Sequence, residues 1–235
     1  MSDILLIHGS CHGAWAWDAV LPELAALGHD ARAIDLPGAG ADPTPHSAIT
    51  LAQYTDAILA ALGAHTVVVG HSAAGYPITA AAERAPEKIA KLIYLCAYVP
   101  EQGRSMLDLR RDAPSQPAQR TFAKSDDGLS YVALPAAVPL FYSDCPPDLA
   151  RRAAAQLCPQ PIAPQAEVLK LSENSHHMPR HYIRCTRDQT IPPQHQAAMV
   201  ADWPAQHVHA LDTGHSPFIS APRQLADLID RLCSA

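Results

Sequence analysis

Residues 66–75 read TVVVGHSAAG, and their reading decides the fold. Four β-branched residues in a row suit a buried strand. Gly, His, Ser and a run of small residues follow at once. A strand that breaks sharply into a helix through small residues can lift a serine hydroxyl above the end of a sheet, on a strained backbone. The usual spacing is Gly-x-Ser-x-Gly, and here it fails by one. Ala74 stands in the place of the second glycine, and Gly75 arrives a residue late. Gly70 preserves one side of the crossing, Ala74 adds a single methyl, and Gly75 relieves crowding where the helix meets the sheet. The expectation is a nucleophilic Ser72 at positive φ. The alternative is an ordinary turn serine or a helix N-cap.

Working outward, short apolar runs alternate with helical patterns. DILLIHG (3–9) and DARAIDLPG (30–38) read as strands, separated by the helical spacing of WAWDAVLPELAALG. Thr50 and Gln53 form a capping-box pattern ahead of a helix that Gly63 ends. After the 66–75 turn come a helix near 73–85 and a strand, KLIYLCAYV (91–99). The rhythm resumes with PRHYIRCT (179–186) as a strand, PPQHQAAMVAD as a helix, and AQHVHALD (205–212) as a sixth strand. A final helix, SPFISAPRQLADLIDRL, has Ser216 placed as its N-cap. This alternation predicts an α/β fold with a six-stranded, mainly parallel sheet and helices on both faces.

Between Pro100 and His177 the rhythm breaks. The stretch carries nine further prolines, a polar AKSDDG segment, and the aromatics Phe122, Tyr131, Phe141 and Tyr142. A structureless loop of that length is improbable inside a domain, and the helical DLARRAAAQL pattern argues against a disordered linker. The expected organisation is a core of 1–100 and 179–235 with an inserted lid at 101–178.

A serine hydroxyl needs a base within hydrogen-bond reach and an acid to orient that base. In an open α/β sheet all three should emerge beyond the carboxyl ends of strands. Ser72, Asp188 and His215 each follow a predicted strand, and their chain order is that of the α/β-hydrolases. The oxyanion hole is assigned to the backbone N–H groups of Ala73, after the nucleophile, and Ser10, in the HGSCHG loop after the first strand. Gly9 lets that loop turn closely, and His8 is read as a brace beneath it. Gly9, Tyr131, Leu140, Phe141, Tyr142 and Phe218 are the candidate pocket residues.

Other titratable residues have simpler readings. Asp35 is a turn-former, and Asp212 lies too close in sequence to His215 to orient it. His207 and His209 form a packed or surface pair with no third metal ligand nearby. His176 and His177 are solvated loop residues, and Cys11 is a packed thiol. No metal and no organic cofactor is expected.

The 235 residues carry a net charge of −6 and no Lys/Arg run, which gives no footprint for nucleic acid or an anionic membrane. An uncharged substrate suits that balance better than a polyanion. No apolar stretch reaches the ~20 residues of a membrane span. The start MSDILLIHG has no basic region or cleavage site, and six scattered cysteines form no CxxC pair. A cytoplasmic protein with reduced cysteines is the expectation.

The blocks LLIHGSCHGAWAWDAVLPELAALGHDARAIDLPGAG, VVVGHSAAG, YSDCPPDLA, IRCTRDQTIPPQHQ and LDTGHSPF resemble the plant methyl-ketone, methyl salicylate and methyl jasmonate esterases. They also resemble the hydroxynitrile lyases of the same α/β-hydrolase group. The resemblance runs over nearly the whole chain, and in the lid it is clear only around 140–150. It implies Ser72, Asp188 and His215 as triad, Ser10 and Ala73 as oxyanion donors, and a sheet without the two leading antiparallel strands of larger hydrolases. Relatives in the group include dimers, so a homodimer is an expectation from the resemblance alone. The lyases carry lysine just after the catalytic histidine, where this chain has Ser216, and threonine where it has Gly9. The expectation is therefore a carboxylesterase acting on a small-molecule ester. A cyanohydrin-cleaving lyase and a non-catalytic small-molecule receptor on the same fold are the alternatives.

Overall fold

The computed structural model describes residues 1–234. Strands β1 (Asp3–Ile7), β2 (Asp30–Ile34), β3 (Thr66–His71) and β4 (Ile89–Leu95) come from the first hundred residues. They join β8 (Arg180–Cys185) and β9 (Val208–Leu211) in one sheet of order β2-β1-β3-β4-β8-β9. Every pairing in it is parallel.

Side chains alternate across a strand, so the continuous apolar runs divide between two cores. Ile4, Leu6, Val67, Val69, Ile93 and Ile183 face one side, against Trp17, Leu24, Phe218 and the C-terminal helix residues Leu225 and Ile229. Leu5, Ile7, Val68, Leu92, Tyr94 and Tyr182 face the other, against Tyr54, Ile58 and Ile78. Burying each such large side chain contributes about 2 kcal/mol, so the sheet is a stiff platform. All its chains leave toward one end.

The helices are shorter than the pattern predicts. The first becomes a 3-10 turn (Ala14–Trp17) followed by α1 (Leu21–Ala26). Helix α2 (Leu51–Ala61) starts with the expected Thr50–Gln53 capping box. Helix α3 (Gly75–Arg84) follows a 3-10 turn over Ser72–Ala74. The last predicted helix is two, Pro217–Ser220 and Pro222–Ser234. Proline disfavours helical backbone in the residue before it, and Ala221 sits at φ −149. Ser216 occupies the N-cap position without capping: its hydroxyl has no hydrogen-bond partner among the described residues.

The segment between β4 and β8 is more than helices. It begins with α4 (Met106–Arg111), behind a Ser105–Asp108 capping box, and includes a small antiparallel sheet absent from the sequence expectation. That sheet pairs β5 (Phe122–Lys124), β6 (Ser130–Ala133) and β7 (Gln160–Pro161). The polar AKSDDG stretch ends β5 with Ala123 and Lys124 and turns the hairpin through Ser125 to Gly128, with Gly128 at φ 72. Strands of three, four and two residues are too short to show a period of two.

Candidate active site

Ser72 is reached by a forced turn. It is the first residue after β3, at φ 55, and its carbonyl accepts from Tyr98 N–H at 3.0 Å. A side chain at Gly70 would press on Ile78 Cδ1 at 2.7 Å, and one at Gly75 would lie 1.9 Å from the Tyr98 carbonyl oxygen. Backbone closes position 75 to any side chain, whereas at 70 the Ile78 side chain would have to give way. Position 74 has room: the Ala74 methyl is buried in the core beside Leu5, Ile7 and Ile78. The displaced glycine therefore marks where α3 begins against the chain beyond β4.

The residues predicted to act with Ser72 meet it. His215 Nε2 lies 3.2 Å from Ser72 Oγ, and His215 Nδ1 lies 2.7 Å from Asp188 Oδ2. All three side chains are buried. The Asp188 carboxylate is saturated: Oδ1 accepts from the N–H groups of Thr190 (2.7 Å) and Ile191 (2.9 Å), and Oδ2 also accepts from Gln196 Nε2 (2.9 Å). Gln196 is locked in turn, its Oε1 accepting from Cys185 N–H and its Nε2 donating to the Ile191 carbonyl. Asp212, the competing acid, is exposed and engaged with Thr186 and Arg187.

Beneath the loop after β1 lies a set of neutral histidines. His8 Nε2 accepts from Leu36 N–H, so its Nδ1 donates to the Gly9 carbonyl; it is a brace. His12 bonds the Ser10 carbonyl through Nδ1 (2.7 Å) and Tyr142 OH through Nε2 (2.9 Å). Burial lowers the pKa of His8 and pushes that of His12 down to about 3. His71 donates from Nε2 to the His215 carbonyl, while burial and the neighbouring His215 hold its pKa well below the ordinary range. Among the described residues its Nδ1 has no partner, and it faces Gly9. A side chain at Gly9 would sit 2.6 Å from that nitrogen and 2.9 Å from Ser72 Cβ. Neither the Ser10 nor the Ala73 N–H is engaged in a hydrogen bond among the described residues.

The β4–β8 segment closes over this end of the sheet through side chains. Gln160 Oε1 accepts from Cys11 N–H, Gln165 Nε2 donates to Ser10 Oγ, and Asp144 Oδ2 accepts from Gly214 N–H at 2.6 Å. Phe141 stacks on His215 with ring centroids 6.0 Å apart.

A small cavity of about 50 Å³ opens against Ser72 and His215. Of the predicted pocket residues, Phe141 lines it. Gly9 lines a neighbouring crevice with Ser10 and Ala73, and Tyr131 lines an outer groove. Tyr142 turns its ring into the packing around Phe141 and its hydroxyl to His12. Leu140 contributes its carbonyl, which accepts from Thr190 Oγ1. Phe218 is fully buried beneath the site, against Trp17 and His71. Sequence gives the aromatic, and only packing gives the side it faces.

Cys11 is a packed thiol whose pKa burial raises to about 12. Asp35 ties its turn, accepting from the Ala14 and Ala41 N–H groups. His176 and His177 are exposed. His207 and His209 form no converging metal set among the described residues, and a third imidazole packs on them: His181 Nδ1 lies 3.1 Å from His209 Nε2, and its ring is 5.2 Å from that of His207. Pairing of β8 with β9 brings it there. Among the described residues, His71, Cys96 and His215 are the group whose ligand atoms converge within 4.8 Å. There His215 already spends both nitrogens on Asp188 and Ser72. No helix of the described residues is long and apolar enough to cross a membrane.

Sequence reading missed Gln196, Asp144, Gln160, Gln165, His12 and His71 as supports. Asp144 and Gln196 lie within the YSDCPPDLA and IPPQHQ blocks, but only the fold shows what they hold.

The sequence model of the alpha/beta hydrolase family matches residues 4–228. The chain is 30% identical to Methylesterase 1 of Arabidopsis thaliana, over 95% of this chain and 92% of that protein. It is 26% identical to Methyl jasmonate esterase 1 of Vitis vinifera, over 97% and 95%. Its fold superposes on a pyrethroid hydrolase from Sphingobium faniae JZ-2 with a TM-score of 0.85, at 28% identity, covering 100% of this chain and 98% of that one. With a serine on a forced turn, an acid and a histidine at the ends of three parallel strands, the chain belongs to the alpha/beta hydrolase family, among the carboxylic ester hydrolases of the plant methylesterase group.

Proposed function

We propose that the chain hydrolyses small esters through an acyl-enzyme on Ser72, with residues 101–178 acting as a lid over a core of 1–100 and 179–235. The observation that carries this reading is the continuous hydrogen-bond line from Ser72 Oγ through His215 to Asp188. His215 Nε2 takes the Ser72 proton as Oγ attacks the ester carbonyl, and Asp188 stabilises the imidazolium that forms. The N–H groups of Ser10 and Ala73 receive the oxyanion. His215 then protonates the departing alcohol, activates a water on the acyl-enzyme, and returns the proton to Ser72.

Next to Ser72 the cavity is lined by Tyr98, Met106, Phe122, Phe141, Ile191 and Pro192, which suits an apolar or aromatic group at the reacting end. The methyl-ester names of the relatives support a small alcohol. Nothing favours the lyase reading: Ser216 stands where those enzymes carry lysine, and threonine at position 9 would collide with His71 and Ser72.

The test is a panel of methyl, short-chain and aryl esters, including methyl salicylate and lactones, with Ser72→Ala as blank. Hydrolysis that vanishes in the blank, with fluorophosphonate labelling of Ser72, is expected. Absence of both refutes the reading. Cyanide release from mandelonitrile would indicate the lyase, and tight binding without turnover a receptor.

A further inference from the structure

Two connected spaces lie outside Ser72. The inner cavity shares Arg110, Gln116, Gln119 and Phe122 with a wider outer groove of about 240 Å³, which Leu107, Arg111 and Tyr131 complete. No aspartate or glutamate lines either space. In a chain with 23 acidic and 17 basic residues, the charged residues along this route are two arginines.

Helix α4 explains their different fates. Arg111 points outward and pairs with Asp108 and Asp112, while Arg104, just ahead of the helix, pairs with Glu101 and Asp112. The nearby carboxylates are thereby engaged. Arg110 is half-buried and, among the described residues, belongs to no ion pair. Its guanidinium lies over the Phe122 ring, 5.4 Å from the centroid, with a long contact of 3.5 Å from Nη2 to the Ala118 carbonyl. Ring and carbonyl hold the group at the mouth of the inner cavity. A guanidinium has five donors in a rigid fork suited to a carboxylate, and most of these remain unused at the junction of the two spaces. The amides of Gln116 and Gln119 stand beside it.

We infer that the substrate is an ester carrying a second, ionised carboxylate, which Arg110 binds at the mouth of the cavity while the ester reaches Ser72. This deepens the esterase reading and rests on it. An apolar reacting end and an acidic distal end then match an apolar inner cavity and a cationic outer groove. The substrate class is the half-ester of a dicarboxylic acid, so an enzyme that esterifies one carboxyl of a diacid would supply it.

Matched probes isolate the charge: monomethyl terephthalate against methyl 4-carbamoylbenzoate, and straight-chain diacid monomethyl esters against their half-amides. A half-buried charge pair predicts a carboxylate-to-amide ratio in kcat/KM of about tenfold, carried by KM. It should shrink between about 0.05 and about 0.5 M salt. In Arg110→Gln the ratio should fall to near one, and Arg110→Lys should keep part of it. A ratio of one or less in the unmodified protein overturns the inference, and so does a ratio that survives Arg110→Gln. If the neutral amide ester is hydrolysed in a Ser72-dependent way with a flat ratio, this inference alone fails. If neither ester turns over and Ser72 takes no fluorophosphonate, the esterase reading fails with it.

Discussion

The two walls of the cavity are built by different means. On the sheet side, Ser72, Asp188 and His215 stand at the ends of β3, β8 and β9, fixed by backbone that has little choice of path. Gly75 admits no side chain, Gly70 is crowded by Ile78, Ser72 is held at positive φ, and the Asp188 carboxylate is bound by two backbone N–H groups. On the opposite side, Phe141, Tyr142, Asp144, Gln160 and Gln165 come from a segment whose strands have two to four residues. That side is tied down by individual side-chain hydrogen bonds to the oxyanion and histidine loops. Changes on the sheet side should therefore cost folding or chemistry, and changes on the opposite side should cost fit.

The largest effect is expected at the elbow. Gly75→Ala drives a methyl onto the Tyr98 carbonyl, and should cost about 3 kcal/mol or more, seen as a Tm lower by about 10 °C. Ala74→Gly, which creates no clash, should cost only about 1 kcal/mol. Equal losses at 74 and 75 would break the distinction between them.

Acid should loosen the joint between the walls. Burial lowers the pKa of His8, takes that of His12 down to about 3 and holds that of His71 well below the ordinary histidine value, so all three resist protonation in the fold. Below pH ~6.5 the unfolded chain takes up protons that the folded chain refuses. Stability is then complete above that pH and is lost as pH falls toward the folded values, by about 2 kcal/mol for His12 at pH 5. Thermal melts from pH 7.5 to 5 should show a falling Tm, and a Tm that rises over that range would contradict it.

Smaller and more local is Gln196→Leu, which removes a donor from Asp188 and leaves Cys185 N–H without its acceptor. Losing a buried hydrogen bond to a charged group should lower kcat about 10- to 100-fold with KM nearly constant. A loss carried by KM would show that Gln196 shapes binding instead. Smallest is Tyr142→Phe, which leaves His12 Nε2 unpaired. It should lower stability by about 1 kcal/mol and Tm by about 3 °C, and raise KM a few-fold with kcat retained. If kcat fell instead, the lid would be part of the chemistry.

The same contrast explains what could be read in the chain itself. β-branched runs and the order Ser72, Asp188, His215 are local or ordinal signals, and they place six strands and the three reacting groups. The apolar patterns lengthen strands such as 30–38 beyond Asp30–Ile34, because pairing ends where a neighbour does. Residues of the β4–β8 segment depend on contacts more than a hundred positions away, as Gln160 with Cys11 and Tyr142 with His12 do. No spacing rule encodes such contacts. That is why Tyr131 and Phe218 were legible as aromatics but not as groove and core. His181 joined His207 and His209 for the same reason: β-strand pairing, not sequence distance, sets its neighbours.

The most direct measurement traps the covalent intermediate. The protein is mixed with 4-nitrophenyl acetate, quenched in acid during turnover, digested, and the acylated peptide is sequenced by mass spectrometry. The predicted result is one acetyl group on Ser72, absent from Ser72→Ala and accumulating in His215→Ala only far more slowly. Acetyl on another residue, such as Cys11, with undiminished turnover in Ser72→Ala would contradict it.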